Sequence, residues 1–122
     1  MSIAPQLRQF LDEAQVEYDI VEHRPTNSAM ETARTCDIPA ERLAKAVLLD
    51  TADDDRLLAV IPSDRRLELS ELRTELGSKP RLSDEAEVGK LFRDCELGSV
   101  PPVGYGITTI VDDTLDQQPD VY

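Results

Sequence analysis

Two features of the sequence place chemically useful groups in unusual surroundings, and the first is Lys45. It interrupts the otherwise apolar run 43–49. Strand alternation puts Lys45 on the same face as Leu43, Val47 and Leu49, a face that we expect to be buried. Because an unpaired ammonium is costly to desolvate, such a lysine either meets an anion or a polarised oxygen in a cleft, or extends to solvent and protects a strand edge from aggregation. The residue pattern leaves both readings open.

The second feature is the stretch 98–104, which reads Gly-Ser-Val-Pro-Pro-Val-Gly. Its prolines fix φ and remove two backbone donors, and its glycines reach backbone conformations that are closed to other residues. We therefore predict a stiff loop whose unpaired backbone groups can hold a polar ligand. A purely structural connection between a helix and a strand is the alternative. This segment is called the glycine–proline loop below.

Other reactive side chains carry weaker signals. His23 is the only histidine and could be a general base, although a proline-containing turn also suits a plain loop residue. Cys95 could be a nucleophile, but its helical phase matches Leu91 and Phe92, which favours a buried structural thiol. Ser99 could donate a hydrogen bond to a ligand, but no neighbouring base supports it as a nucleophile. The chain has no CxxC spacing and no phosphate-loop or dinucleotide fingerprint, so we predict no metal and no cofactor.

Composition limits the classes of function. The chain has 122 residues with 25 acidic and 13 basic side chains, a formal net charge of −12. This size suits one domain with one core. The charge argues against nonspecific binding along DNA or another duplex, where phosphate neutralisation supplies the affinity, but it permits contact with a single nucleic-acid end. We interpret the scattered carboxylates as a solvated acidic surface rather than a metal site, and we hypothesise adaptation to high salt, which screens self-repulsion.

The same composition predicts where the chain acts. It has no apolar run of the ~20 residues that a membrane span needs, and no secretion signal is visible at its N-terminus. We therefore expect a cytoplasmic protein without a membrane partner. Its two cysteines are too few to indicate a disulfide framework.

Helical spacing recurs four times along the chain. The patterns predict helices over 3–14, from a Ser28 cap to about Cys36, around the stripe of Leu69, Leu72 and Leu76, and after a Ser83 cap. The second begins with a capping box, in which Glu31 follows Ser28 by three residues. In the third, Ser70 is a plausible cap and Gly77 a plausible end. The fourth would bury Val88, Leu91, Phe92 and Cys95.

Strand patterns lie between these helices. We predict strands over 18–21, 43–49, 57–61 and 107–111, with 121–122 beginning another. The second and third form a hairpin across the acidic turn 53–55. Because hairpins and helices alternate along one chain, the pattern predicts an α/β (α+β) fold with a mixed sheet.

Lys45 in the sequence Ala-Lys-Ala-Val-Leu-Leu, followed about fifty residues later by the glycine–proline loop, resembles the YbaK/ProX family. These are prolyl-tRNA synthetase-associated domains that edit mischarged tRNA. The likeness extends over nearly the whole chain and implies a single domain of this type over 1–122, with a mixed, barrel-like β-sheet surrounded by helices. Relatives continue with at least another strand and helix, so the resemblance also implies a shortened C-terminal end.

The resemblance implies an activity and a site. The activity is hydrolysis, in trans, of the ester that joins a wrong amino acid to tRNA, typically proline tRNA carrying a small residue such as Ala, Cys or Ser. The expected partners are the tRNA acceptor end and prolyl-tRNA synthetase. Lys45 and Gly98 take the catalytic positions. Substrate-binding positions are His23, Thr26, Ala46, Ser99, Val100, Pro101, Pro102 and Gly104. Some alanine-specific relatives carry a polar residue where this chain has Ala46, so the amino acid that is cleared stays open.

This interpretation requires that the Lys45 ammonium share a cavity with the glycine–proline loop. It also requires a local basic rim on an acidic protein, for which the candidates are Arg24, Lys45, Arg65, Arg66, Lys79 and Arg81. Two other functions stay open. The chain could be a non-catalytic module of the same fold that binds tRNA or a synthetase, or a small-metabolite-binding protein that reuses the pocket.

Overall fold

The computed structural model describes residues 3–95 and 99–122. Within them, helices and strands alternate. The helices are α1 (Pro5–Glu13), α2 (Ala29–Cys36), α3 (Leu69–Leu76), α4 (Glu85–Leu91) and α5 (Asp113–Asp116), with a 3-10 turn at Ala40–Arg42. The strands are β1 (Ala44–Asp50), β2 (Arg56–Pro62), β3 (Arg81–Leu82) and β4 (Thr109–Val111). No helix in this part of the chain combines the length and the apolar character that crossing a membrane requires.

The four strands form one mixed sheet in the order β3-β1-β2-β4. β1 and β2 pair antiparallel, with Lys45 opposite Ile61, and β3 pairs antiparallel with β1. β4 runs parallel to β2. The mixed α+β fold and the β1–β2 hairpin are confirmed. The expected barrel is wrong, because the sheet is open: its outer strands have only two and three residues, too few for the extensive pairing that closes a barrel.

Each face of the sheet has its own apolar cluster, because side chains alternate along the strands. On the first face Leu48, Leu58 and Phe92 are buried, and Val88 and Leu91 of α4 pack against them. On the second face the buried residues are Leu49, Leu57 and Ala59, and α3 covers them with the predicted leucine stripe. The stripes predicted for α3 and α4 are therefore confirmed.

Helix ends follow the predicted caps in part. The Ser28 side chain accepts from Glu31 N, as the capping box predicts, and Gly77 ends α3 with a φ of 80°. Ser70 instead lies inside α3. The cap predicted at Ser83 belongs to Asp84, whose carboxylate accepts from the backbone of α4, while the Ser83 hydroxyl donates to Asp50.

The strand predicted over 18–21 does not form. Ile20 and Val21 are 53 % and 47 % exposed, and the Tyr18 hydroxyl donates to Asp12 at the end of α1. Because these apolar side chains stay exposed, the segment gains little of the free energy of burial that would favour pairing with the sheet. Tyr122 forms no strand either, but its backbone hydrogen bonds to Arg42 and Ala44 extend the pairing at the start of β1.

Candidate active site

Lys45 opens into a cleft of about 650 Å³, called the Lys45 cleft below. β1 supplies Lys45, and the turn after β2 supplies the polar residues beside it. Helices α2 and α3 and the edge strand β3 complete the walls. The lining residues are Met30, Lys45, Val47, Ser63, Asp64, Arg65, Arg66, Leu67, Leu69 and Leu82. Lys45 lines this cleft, and because β3, within the described residues, pairs only with Leu49 and Asp50 of β1, it also stands at an unpaired edge, so both sequence readings of its role remain open.

One end of the cleft is cationic. Lys45, Arg65 and Arg66 share the lining of the cleft with one carboxylate, that of Asp64. Arg65 also lies near the carboxylate of Asp112, with which it interacts electrostatically. None of the ion pairs formed among residues 3–95 and 99–122 uses these three cations. The positive charge is therefore available to an anionic or strongly polarised ligand.

Ser63 fixes this end of the cleft but offers no nucleophile. Its side chain is 2 % exposed, and its hydroxyl donates to the Leu43 carbonyl at 2.6 Å. Its backbone N–H donates to the carbonyls of Ala40 and Leu43. These bonds anchor the turn that carries Asp64, Arg65 and Arg66 to the start of β1.

The other end of the cleft is apolar. Val47, Leu67 and Leu69 belong to the cluster under α3, and Met30 and Leu82 stand at the rim. Met30 is 39 % exposed and Leu82 is 60 % exposed. Large apolar side chains at the mouth of a charged cleft can cover a small apolar group while the cationic end holds a polar one.

The glycine–proline loop lies on the other face of the sheet. Val100 and Tyr105 pack, with Ala46, against the cluster of Leu48 and Phe92. None of residues 99–104 is among those that line the Lys45 cleft. The expected shared cavity is therefore wrong for the described part of the loop, and Gly98 lies outside the described residues. The reason is strand alternation, because Lys45 and its neighbour Ala46 point to opposite faces.

Helix α1 contacts the described part of the loop. Gly104 has a φ of +94°, and a Cβ there would stand 3.0 Å from Phe10 Cβ. Gln6 donates from its side chain to the Gly104 carbonyl at 3.0 Å. Pro101 is buried. The loop thus has a fixed position against the first face of the sheet.

Asp94, Cys95 and Tyr105 form a hydrogen-bonded group beside the loop, and their contacts explain why the Cys95 thiol is protonated. The Tyr105 hydroxyl donates to Asp94 at 2.7 Å, and the backbone of Gln6 donates to the same carboxylate. These donors lower the pKa of Asp94, the Tyr105 hydroxyl most strongly. Burial raises the pKa of Tyr105 and of the Cys95 thiol. Cys95 is therefore protonated at neutral pH and packs beside Phe92, as the structural reading predicts.

His23 and Thr26 lie before α2, away from the Lys45 cleft. His23 Nδ1 donates to the Arg24 carbonyl at 2.7 Å. The Thr26 and Thr32 hydroxyls hydrogen-bond each other. Neither His23 nor Thr26 is among the residues that line the cleft.

The cations of the predicted basic rim lie in different places on the protein. Lys45, Arg65 and Arg66 line the cleft, whereas Arg81 pairs with Asp50 and Asp54 at the far end of the β1–β2 hairpin. Lys79 is exposed and is not among the cleft residues.

Sequence reasoning missed five cleft residues, namely Met30, Ser63, Asp64, Leu67 and Leu82. Asp64 could have been found. In a hairpin, the turn that follows β2 must lie beside the start of β1, which carries Lys45. Met30 and Leu82 had no such signal, because their elements reach the cleft only through tertiary packing.

Comparisons with known proteins agree with this fold. The structure of a candidate trans-editing enzyme for prolyl tRNA synthetase is 24% identical, with a TM-score of 0.79 over 98% of this chain and 80% of that one. The hypothetical protein APE2540 is 22% identical, with a TM-score of 0.83 over 96% of this chain and 79% of that one. A structure from computational epitope backbone grafting onto scaffold proteins is 21% identical, with a TM-score of 0.78 over 95% and 75%. A comparison with curated proteins finds no match.

These structures share the fold of this chain but are too distant in sequence to assign its family. The sequence itself makes that assignment. Residues 23–122 match the family described as the aminoacyl-tRNA editing domain. The match includes Lys45, the turn after β2 and the whole glycine–proline loop. The chain belongs to the aminoacyl-tRNA editing domain family.

Proposed function

We propose that this chain is a deacylase that hydrolyses, in trans, the ester of mischarged tRNA, with proline tRNA carrying Ala, Cys or Ser as its substrate. The observation that supports it best is the Lys45 cleft, in which three cations stand beside an apolar wall. Because the described part of the glycine–proline loop lies on the other face of the sheet, the proposal no longer relies on a cavity shared with that loop, and it rests on the Lys45 cleft and on membership of the editing-domain family. The proposal places the reaction in the cytoplasm and makes prolyl-tRNA synthetase a partner that releases the mischarged tRNA.

In the proposed reaction, Lys45 interacts with the negatively charged or polarised oxygens of the substrate. Its ammonium binds the ester carbonyl oxygen or the terminal phosphate, and it stabilises the negative charge that develops when water attacks the carbonyl carbon. The carbon–oxygen bond to the ribose then breaks, the ribose oxygen takes the proton from water, and the free amino acid leaves. No protein nucleophile is needed, since an aminoacyl ester is already activated and a neighbouring ribose hydroxyl can assist. Ser63 fits this scheme, because its hydroxyl is held by a backbone carbonyl.

The apolar end of the cleft supplies the choice of amino acid. Editing sites discriminate by exclusion, because they hydrolyse the residues small enough to enter. Met30 and Leu82 at the rim, with Val47 below, are placed to set that limit.

The remaining substrate-binding candidates need a separate test, because they lie outside the Lys45 cleft. They are His23, Thr26, Ala46, Ser99, Val100, Pro101, Pro102 and Gly104, and Gly98 is the second catalytic candidate. His23→Ala and Pro102→Ala address the two segments. If kcat/KM stays at the wild-type value in a folded variant, the altered residue is not part of the site; a fall without loss of stability places it there.

The proposal is tested with proline tRNA charged with Ala, Cys, Ser or Pro. We expect turnover of at least one mischarged species, a fall in kcat of about 10²–10³-fold for Lys45→Ala, and no change for the matched control Lys79→Ala. Circular dichroism checks that both variants are folded. Absence of turnover by the wild type, or wild-type turnover by Lys45→Ala, contradicts the proposal. Binding without turnover supports the non-catalytic alternative.

The acidic surface predicts which part of the tRNA matters. A net charge of −12 repels the body of an RNA, so contact is confined to the acceptor end. A mischarged acceptor-stem minihelix should be deacylated with a kcat/KM close to that of the full tRNA. An inactive minihelix beside a well-cleaved full tRNA would show that the tRNA body is recognised.

A further inference from the structure

A second cavity borders α2, the helix that also contributes Met30 to the Lys45 cleft. Its volume is about 370 Å³, and its lining residues are Arg24, Ser28, Glu31, Arg34 and Thr35. Helix α2 contributes to both sites, since Met30 lines the Lys45 cleft and Arg34, one turn later on the same face of the helix, lines the second cavity. The Arg34 Nε donates to the Met30 carbonyl at 3.4 Å, which holds the guanidinium beside the helix that the two cavities share. We call this cavity the Arg24–Arg34 cavity.

The distribution of charge singles out these two cavities. They contain five of the thirteen basic side chains of the protein but only two of its twenty-five acidic ones. Positive charge therefore exceeds negative charge in both, on a chain whose net charge is −12. On a chain this acidic, an excess of positive charge in two cavities that both border α2 is not expected from composition alone. It does suit an anionic ligand that reaches both cavities at once.

The arginines of the second cavity are free to bind. Arg24 and Arg34 are exposed, and no ion pair within the described ranges 3–95 and 99–122 uses either. The one carboxylate present, Glu31, accepts from the Asn27 backbone at the start of α2. Paired guanidinium groups match the oxygens of a phosphate, to which arginine donates two parallel hydrogen bonds.

We propose that the Arg24–Arg34 cavity binds a backbone phosphate of the RNA strand whose aminoacylated 3′ end occupies the Lys45 cleft. The inference rests on the proposed function, because that function puts an RNA end in the Lys45 cleft. Met30 and Arg34 are one turn, about 6 Å, apart along α2, so a strand that leaves the cleft along this helix reaches the second cavity within a few nucleotides. The Lys45 cleft then selects the amino acid, and the Arg24–Arg34 cavity selects a substrate that carries an RNA strand.

The test compares a long and a short substrate in Arg34→Gln, Arg24→Gln and the matched control Arg73→Gln. Arg73 is an exposed arginine of α3 outside both cavities. The long substrate is mischarged tRNA, and the short one is the same amino acid esterified to adenosine, which has no upstream phosphate. For Arg34→Gln and Arg24→Gln, the ratio of kcat/KM on tRNA to kcat/KM on aminoacyl-adenosine should fall about tenfold. Arg73→Gln should leave that ratio unchanged.

Salt dependence gives an independent readout. Each lost phosphate contact should reduce the slope of log(kcat/KM) against log[salt] by about 0.7 on tRNA. Equal ratios and slopes in Arg34→Gln, Arg24→Gln and Arg73→Gln would overturn the inference, as would a loss of the same size on aminoacyl-adenosine. If the wild type turns over neither substrate, the proposed function has failed. Binding of uncharged tRNA, measured by fluorescence anisotropy, then decides the phosphate site separately: weaker binding by Arg34→Gln than by Arg73→Gln supports it, and equal binding refutes it.

Discussion

Gly104 and Phe10 meet so closely that no side chain fits between them. A Cβ on Gly104 would stand 3.0 Å from Phe10 Cβ and 3.2 Å from its Cγ. This contact joins the first helix to the end of the glycine–proline loop, ninety-four positions away along the chain. Gln6 strengthens the same joint through its hydrogen bond to the Gly104 carbonyl. The position of this end of the loop thus depends on a long-range contact as well as on its own prolines.

We expect Gly104→Ala to destabilise the protein by more than Gly106→Ala. Both glycines have positive φ, which costs a substituted residue about 1–3 kcal/mol, but only Gly104 also has a close neighbour. Chemical denaturation measures the two losses, and their difference is the contribution of the contact. Phe10→Ala added to Gly104→Ala removes the contact with Cγ but keeps the one with Cβ, so we expect it to restore only a small part of the stability lost. Equal losses at the two glycines would mean that Phe10 moves aside without cost.

Tyr105→Phe should change how stability depends on pH at the acid end. The Tyr105 hydroxyl is the strongest of the donors that hold the pKa of Asp94 below its ordinary value of 3.8. A lowered folded-state pKa stabilises the protein above the unfolded pKa, and this contribution is lost as the pH falls through the folded pKa. The stability difference between wild type and variant should therefore be present above about pH 4 and shrink below it.

The direct measurement for this pair is the NMR titration of the Asp94 carboxyl carbon. Its midpoint should move up toward the ordinary value in Tyr105→Phe and stay in place in Tyr122→Phe, which alters an exposed tyrosine elsewhere. An unmoved midpoint in Tyr105→Phe would show that the backbone donor from Gln6 alone maintains the shift.

Met30→Ala should widen the range of amino acids that are cleared. The side chain stands at the rim of the apolar end of the Lys45 cleft, so its removal enlarges the space that excludes larger substrates. A hydrophobic pocket distinguishes one methylene by roughly tenfold or more. We therefore expect kcat/KM for a larger side chain, relative to alanine, to rise by about tenfold. Met30→Leu, which conserves volume, is the control; an identical rise there would point away from size exclusion.

Salt should stabilise the protein. Between about 0.1 M and about 1 M NaCl the Debye length falls from about 10 Å to about 3 Å, which screens repulsion among the carboxylates. The melting temperature should rise over this range. Asp53→Asn with Asp55→Asn should raise it at low salt and flatten its salt dependence, while Asp54 keeps its ion pair with Arg81. A melting temperature that falls on adding salt would reject adaptation to a saline environment.

Interactions between near neighbours in the chain determined what the sequence could predict correctly. The Ser28 cap, the left-handed end at Gly77 and the leucine stripe of α3 each depend on residues within a few positions of one another. The β1–β2 hairpin follows from two apolar runs and a short acidic turn. The order of such signals also sufficed to indicate the editing-domain family, which the match over 23–122 confirms.

Where the prediction depended on distant parts of the chain, only the tertiary structure could decide it. Alternation shows that Lys45 and Ala46 face opposite ways, but not that the glycine–proline loop packs on the side of Ala46. Likewise, nothing local to Arg34 indicates that α2 borders two cationic cavities. The physical reason is that a strand fixes the directions of its own side chains, whereas the layer that covers each face is chosen by contacts between segments far apart in the sequence.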